Sequence, residues 1–138
     1  MRRGFLFAIL ALAIAASLPS QAQDARATEA QRVAREWLVL ADKQDGAATW
    51  AAAGPKFQAA MSAEQWTRAL KQARGPLGAV LQRAMLTTQF AKNIPGQPDG
   101  EYVLLQFRTS CEKKESARET LTLERVDGKW RVIGYFIR

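Results

Sequence analysis

The strongest constraint on the fold is the dipeptide Asp127-Gly128, which separates two segments of strand-like residues near the end of the chain. Asp-Gly is a strong signal for a two-residue type I′ hairpin, because both central residues of that turn have positive φ. A loop of this length fixes which residues face each other across the two strands. The predicted pairs are Val126–Lys129, Arg125–Trp130, Glu124–Arg131, Leu123–Val132, Thr122–Ile133 and Thr120–Tyr135.

The second half of the chain is rich in β-branched and aromatic residues, which favour strands. Four strands are predicted, over residues 80–91, 101–111, 117–126 and 129–137. A loop rich in proline and glycine (KNIPGQPDG) joins the first two strands, and a charged tip (EKKES) joins the next two. Short connections of this kind are typical of an antiparallel sheet.

The first half is rich in alanine and shows helical spacing of apolar residues. A capping box from Thr28 to Gln31 begins the first predicted helix, which ends at Asp45-Gly46. A short second helix over residues 47–53 ends at Gly54-Pro55. A second capping box, Ser62 with Gln65, begins the third helix, which closes at Gly75-Pro76.

Helices followed by strands indicate an α+β fold. We predict three N-terminal helices on one face of a curved four-stranded antiparallel sheet, after a signal-peptide helix. By strand alternation the helix-facing side of the sheet holds Val103, Leu105, Phe107, Cys111, Leu121, Leu123, Trp130, Val132 and Phe136. Trp37, Trp50 and Trp66 are interpreted as core residues of the helices, with stacking on a cofactor or sugar as the alternative.

The opposite side of the sheet is predicted to mix polar and apolar residues. Its apolar members make it a candidate interface with a second copy of the chain, since large exposed apolar patches usually mark interaction sites. The interface candidates are Tyr102, Leu104, Ile133, Tyr135 and Ile137. We place the centre of the interface at Ile133, Tyr135 and Ile137, so Tyr135→Glu is expected to separate a homodimer.

The N-terminus has the layout of a secretory signal peptide, with Arg2 and Arg3 ahead of an apolar run that ends near Leu18. Cleavage is predicted after Ala22, which leaves residues 23–138 as a single α+β domain. The alternative is a membrane anchor, but a spanning helix needs about 20 apolar residues. We therefore expect a periplasmic or secreted protein with no membrane span after removal of the signal.

The formal charge of +7 falls to +5 once Arg2 and Arg3 are removed. This surplus favours anionic surfaces such as lipopolysaccharide or nucleic acid. The basic residues are scattered, however, and the sequence has no basic stripe or aromatic RNA motif, so nucleic-acid binding is not expected. Cys111 is the only cysteine, which excludes a disulfide within the chain and leaves a buried thiol or a disulfide-linked dimer.

The sequence lacks histidine and therefore the commonest general base, the serine–histidine and cysteine–histidine nucleophile pairs, and the usual zinc sites. No metal and no cofactor is expected. Glu119 is the one strand acid predicted to face the helices, and burial would allow it to act as a base. The pocket candidates are Glu119, Trp130 and Phe136; the alternative is that Glu119 lies near the hairpin tip, where the inner face of the sheet opens to water.

Five segments carry a family resemblance: REWL, EQW, GPLG, PGQPDGEYVLLQF and DGKWRVIGYFIR. Over about residues 29–138 the chain resembles a family of small exported bacterial proteins, domain of unknown function 4019. The order of helices and sheet also resembles, more loosely, the nuclear transport factor 2-like superfamily. That likeness implies a cone with a cavity between helices and sheet, often dimeric through the sheet. It implies no particular activity, because that superfamily holds enzymes, binders and scaffolds.

Two functions therefore stand as hypotheses. The first is an exported, noncatalytic module that binds a protein or a small apolar ligand and pairs through its sheet. The second is a proton-transfer or hydrolytic enzyme of the nuclear transport factor 2-like type, which uses Glu119 in a cavity between helices and sheet.

Overall fold

A computed structural model describes residues 21–138, with side chains from residue 25 onward. The predicted signal peptide lies outside the residues whose side chains are described, so cleavage after Ala22 stays a prediction. The helices are α1 (Gln21–Asp42), α2 (Gly46–Ala52), α3 (Pro55–Ala60) and α4 (Ala63–Arg74), followed by a 3₁₀ turn (Gly75–Leu77). The strands are β1 (Val80–Ala91), β2 (Tyr102–Cys111), β3 (Lys114–Val126) and β4 (Lys129–Ile137).

The helical half differs from the prediction at two places. The described chain has four helices after residue 20 rather than three, because Pro55 begins α3. Proline does end a helix at the residue before it, but its fixed φ also suits the first position of the next helix. The first helix starts before Thr28, at Gln21. The capping box of Ser62 with Gln65 is confirmed, with both reciprocal bonds present.

The four strands form one antiparallel sheet in the order β1-β2-β3-β4, and the helices pack on one of its faces. The α+β class is therefore confirmed. Trp37, Trp66, Leu123 and Val132 are all buried in the core between the two layers. Three of the indoles donate hydrogen bonds inside the helical layer: Trp37 and Trp66 to the backbone and hydroxyl oxygens of Thr49, and Trp50 to the Met61 carbonyl. These rings serve as packing residues.

The terminal hairpin forms as predicted at its turn and changes register further along. Asp127 and Gly128 have φ values of 50° and 77°, which is the type I′ signature. The register agrees with the prediction as far as Leu123 and Val132, but Thr122 then pairs with Gly134 instead of Ile133. The predicted pairs Thr122–Ile133 and Thr120–Tyr135 are therefore wrong, because Ile133 forms a β-bulge. An extra residue in one strand shifts the side chains that follow it to the other face.

The bulge exchanges the positions of two aromatic residues. Tyr135 now pairs with Leu121 and packs between the indoles of Trp37 and Trp66, with ring centroids 5.2 and 6.2 Å away. Phe136 pairs with Thr120 and is 51% exposed on the outer face of the sheet. The prediction that Phe136 faces the helices, and that Tyr135 faces away from them, is wrong for this reason.

The other interface candidates do not form one exposed patch. Tyr102 is buried, since its ring lies against Gly100 and its hydroxyl donates to the Pro98 carbonyl at 2.6 Å. Ile137 pairs with Glu119 and so shares the inner face, whereas Ile133 lies beside Gly54. Leu104 keeps the predicted orientation and is half-buried. The predicted centre at Ile133, Tyr135 and Ile137 is therefore wrong as a surface.

Candidate functional site

Glu119 lies in the middle of β3 and has no exposed surface. Its Oε1 accepts hydrogen bonds from Arg83 Nε at 2.8 Å and from the hydroxyl of Thr109. Its Oε2 accepts a bond from the Tyr135 hydroxyl at 2.5 Å. Arg74 Nη1 completes the surroundings at 3.7 Å from the same oxygen. The carboxylate is thus bonded on both oxygens by neighbouring side chains.

A second carboxylate closes the arrangement on the helix side. Asp42, the last residue of α1, accepts two bonds from Arg83, at 2.9 and 2.8 Å, which is a bidentate pair. It also accepts a bond from Arg74 Nη2 at 2.6 Å. Arg83 and Arg74 therefore each bridge Asp42 and Glu119.

We call these six residues the polar cluster. Its members are Asp42, Arg74, Arg83, Thr109, Glu119 and Tyr135. Each comes from a different element: α1, α4 and the four strands in turn. The cluster contains two formal positive and two formal negative charges, so pairing offsets the large cost of burying each charge alone.

The pKa directions agree with charged side chains at Asp42 and Arg83 and a neutral phenol at Tyr135. Burial by itself raises the pKa of Asp42, but the hydrogen bonds from Arg83 and Arg74 outweigh it and leave that pKa below its ordinary value. Burial by itself lowers the pKa of Arg83. The hydrogen bonds of Arg83 to Asp42 and Glu119 outweigh burial and leave that pKa above its ordinary value. Burial and the charge of Glu119 raise the pKa of the Tyr135 phenol, so Tyr135 stays a neutral donor.

The geometry around Glu119 fits a role in stabilising the fold better than a role in proton transfer. A general base needs an oxygen within hydrogen-bond reach of a substrate proton. In Glu119 the acceptor positions are directed at Arg83, Thr109 and Tyr135, and the side chain has no contact with solvent. The predicted alternative, that Glu119 lies in contact with water, is wrong.

The structure separates the three predicted pocket residues. Glu119 lies in the polar cluster, Phe136 lies on the outer face, and Trp130 packs at the start of β4 against Phe90 with ring centroids 5.9 Å apart. The guanidinium groups of Arg26 and Arg125 lie over the Trp130 ring, at 5.9 and 5.7 Å from its centroid. The predicted pairing of Arg125 with Trp130 is confirmed, whereas the pocket built from all three predicted residues does not form.

Trp130 instead lines a groove between α1 and β4 with a volume of about 480 Å³, which we call the α1–β4 groove. Apolar residues of both elements, with one residue of α2 (Ala52), line it: Val33, Trp37, Leu40, Ala52, Trp130 and Val132. Charged residues of both signs also line it: Glu29, Arg32, Glu36, Lys129 and Arg131. The combination of apolar walls with a few polar groups is typical of small-molecule sites.

Trp130 differs from the other three tryptophans in its hydrogen bonding. Its Nε1 is buried and has no acceptor among the residues of the described part. A buried N–H without a partner costs about 1–3 kcal/mol. Buried donors without a partner are rare in native structures, so this one requires an explanation. It belongs to a residue that lines the groove.

Metal-ligand groups and membrane-spanning helices are both absent from the residues that the structure describes. Over those residues, no group of three or more acidic or cysteine side chains is arranged to hold a metal ion. No helix there combines the length and apolar character needed to cross a bilayer. Cys111 is buried, and burial raises the pKa of its thiol, as expected of a packed thiol rather than a reactive one.

The sequence reasoning missed Arg74 and Arg83 as partners of Glu119, and Asp42 as the second carboxylate that these arginines bind. One of them left a signal: Arg83 lies on the same strand face as Met85, and β1 pairs it with Thr109. A charged residue at a helix-facing strand position requires a buried partner of opposite sign. Asp42 and Arg74, as the last residues of two helices, offered no comparable pattern.

The fold and the cluster define a class: an α+β protein with helices on one face of an open antiparallel sheet, joined through a buried ionic centre. A family profile described as "Protein of unknown function (DUF4019)" matches residues 33–135. The chain belongs to the DUF4019 family. A search of curated proteins finds no match. The looser likeness to the nuclear transport factor 2-like superfamily stays a prediction.

Proposed function

We propose that the protein is an exported, noncatalytic binding module whose ligand site is the α1–β4 groove. The observation that carries the proposal is the buried, unpaired Nε1 of Trp130, a residue that lines this groove. A ligand whose hydrogen-bond acceptor reaches the indole N–H would remove the free-energy cost of the unpaired donor. This gain favours binding.

The groove chemistry favours a small, largely apolar ligand with at least one hydrogen-bond acceptor. Val33, Leu40 and Val132 provide apolar contact. Arg32, Lys129 and Arg131 provide positive charge among the lining residues, alongside Glu29 and Glu36. A volume of about 480 Å³ lies within the range of about 300–1,000 Å³ that is typical of ligand pockets.

The enzymatic alternative receives less support from the same geometry. Its one candidate base, Glu119, has both oxygens bonded inside the protein. Using it as a base would require breaking the bond to Arg83 or to Tyr135 and opening the core. The polar cluster therefore supports a role for Glu119 in holding helices to sheet.

Export rests on the N-terminal residues 1–22, whose charged start, apolar run and small residues at the cut are those of a signal peptide. We therefore place the binding module in the periplasm or outside the cell. A homodimer through the outer sheet face is part of the proposal, with Phe136 rather than Tyr135 as its centre, because Phe136 is the large apolar residue exposed there on β4.

The test is native mass spectrometry of the full chain purified from its own host. We expect a retained small molecule in the wild-type protein and its loss in Leu40→Trp, since the larger ring fills the groove. Val39→Trp is the matched control: Val39 is the neighbouring residue on α1, is 51% exposed and does not line the groove. Equal retention in both variants, or no bound molecule in the wild type, would contradict the proposal.

A further inference from the structure

Three arginines form a row across the outer face of the sheet. Arg108 of β2 pairs directly with Arg118 of β3. Arg118 in turn exchanges two backbone hydrogen bonds with Arg138, at 2.8 and 3.1 Å. Residues paired in this way project their side chains on the same face at neighbouring positions. We call Arg108, Arg118 and Arg138 the arginine row.

The row faces away from the polar cluster. Thr109 and Glu119, the residues that follow Arg108 and Arg118, point into the core, so alternation turns the two arginines outward. All three arginines are exposed. The two faces at this end of the sheet therefore differ: the charged side chains of the polar cluster are paired inside, and three arginines without a salt bridge lie outside.

No carboxylate among residues 25–138 forms a salt bridge with the row, although Glu115 lines a neighbouring cavity together with Arg108. Like charges directly opposite each other destabilise a strand pair. Arg138 has one further contact among the described residues: its guanidinium lies 4.9 Å from the centre of the Phe136 ring.

The arginines share one concave site. A cavity of about 340 Å³ is lined by all three, together with Leu86, Ser116 and Ala117. Leu86 is 45% exposed and Phe136 51% exposed, so apolar surface adjoins the positive charge. A guanidinium matches a phosphate group through two parallel N–H···O bonds, and several guanidiniums around one cavity suit a group with three or four oxygens.

We propose that the arginine row is a binding site for a phosphate group. The phosphate belongs either to a free anion or to the headgroup of a lipid, and both sources present the same oxygens to the same guanidiniums. A bound phosphate turns the repulsion across β2, β3 and β4 into attraction. This site is separate from the α1–β4 groove and does not depend on the function proposed for it.

The test uses two probes on the full chain. Inorganic pyrophosphate represents a free anion and is titrated by calorimetry. Vesicles of phosphatidylglycerol, compared with vesicles of phosphatidylcholine, represent a lipid headgroup and are tested by co-sedimentation. We expect binding to at least one probe, and the probe that binds identifies the source of the phosphate. Absence of binding to both probes would overturn the proposal.

The variant Arg108→Gln/Arg118→Gln/Arg138→Gln is expected to weaken that binding by at least roughly tenfold, since one charge-assisted bond already accounts for about that factor. The control Lys43→Gln/Arg68→Gln/Lys71→Gln removes the same charge from exposed helix-side residues. An equal loss in both triple variants would show an effect of net charge alone and overturn the site.

Folding of the variants is checked separately. Removing facing like charges should leave the melting temperature unchanged or higher. The single variant Arg118→Gln changes only the middle of the row and gives a second measurement if the triple variant proves unstable. Full retention of binding by a folded Arg118→Gln protein would also contradict the site. Leu40→Trp, which fills the α1–β4 groove, should bind each probe to the same extent as the wild type does.

Discussion

At the scale of single residues, Glu119 shows how the core of this protein tolerates a charge. The carboxylate is paired, bonded on both oxygens and enclosed by residues that are themselves paired. A buried ion pair is weak evidence for added stability, but removal of one partner leaves an uncompensated charge in the interior. The cluster should therefore be sensitive to loss of any one of its charged members.

We expect Glu119→Gln to lower the free energy of unfolding by about 3–5 kcal/mol, because Arg74 and Arg83 keep their positive charges with Asp42 as the remaining carboxylate of the cluster. Urea denaturation followed by circular dichroism measures the change. The control is Glu115→Gln, an exposed acid on the same strand, which should stay within about 0.5 kcal/mol of the wild type. A loss below 1 kcal/mol for Glu119→Gln would contradict the structural role.

Asp42 should make stability depend on pH at the acid end. Its pKa is lowered on folding from an ordinary value of 3.8, so the unfolded chain binds the proton more readily than the folded one. The stability that Asp42 contributes is therefore complete well above pH 3.8 and is lost as the pH falls through that value toward the lower pKa of the folded state.

Unfolding free energies measured across this acid range test the expectation. Asp42→Asn should be less stable at neutral pH and should show a shallower fall in acid, whereas Asp99→Asn, in an exposed loop, should keep the wild-type slope. An unchanged slope in Asp42→Asn would contradict the lowered pKa.

At the scale of secondary-structure elements, the approach of α2 to α4 depends on Gly46. A Cβ atom placed there would lie 2.1 Å from Thr67 Oγ1 and 2.6 Å from Thr67 Cα. The second contact involves backbone, so a side-chain rotation cannot relieve it. The start of α2 can therefore lie this close to α4 only with glycine at residue 46.

Gly46→Ala should consequently destabilise the protein by about 1–3 kcal/mol, the usual cost of overpacking. Thermal and urea unfolding measure the loss. Gly75→Ala is the matched control, because Gly75 has a helical φ of −53° and its nearest neighbour to an added Cβ is 4.0 Å away. If the two variants have equal stability, the close contact between α2 and α4 does not limit the fold.

The sequence predicted the positions of the strands better than the pairing between them. The bounds of β1 and β4 agree with prediction, since alternation and the Asp127-Gly128 turn are local signals. The bulge at Ile133 was not predicted. Its only local signal in the sequence is Gly134, since a glycine inside a strand often marks a bulge. The bulge at Ile133 places Tyr135 in the polar cluster and Phe136 on the outer face of the sheet.

The site was predictable to a smaller extent. Glu119 was found because alternation along a single strand assigns its face. Its partner Arg74 and the second carboxylate of the cluster, Asp42, end two separate helices, and their distance from β3 is a property of the tertiary packing. Single-strand patterns do not encode that packing, so the polar cluster could be recognised only from the structure.

At the scale of the whole molecule, the outer sheet face is the surface through which we propose that two copies pair. Phe136 is its exposed aromatic residue, and the arginine row lies at the same end. A second copy that covers Phe136 must do so without bringing the two arginine rows together, since like charges in contact cost several kcal/mol.

If the outer face pairs two copies, Phe136→Glu should lower the mass measured by light scattering while circular dichroism stays unchanged. Val39→Glu is the control, because Val39 is also 51% exposed but lies on α1. An unchanged dimer mass in Phe136→Glu, or an equal loss in both variants, would contradict pairing through this face. Tyr135→Glu no longer tests it, since that residue is part of the core.

The polar cluster also bears on the order in which the chain acquires its native contacts. Its six members are spread from residue 42 to residue 135, and contacts between distant positions form after the local ones. We therefore expect the cluster to be incomplete in the transition state for folding. Kinetic measurements on Glu119→Gln should then show faster unfolding with little change in the folding rate, and a slowed folding rate would place the cluster in the nucleus instead.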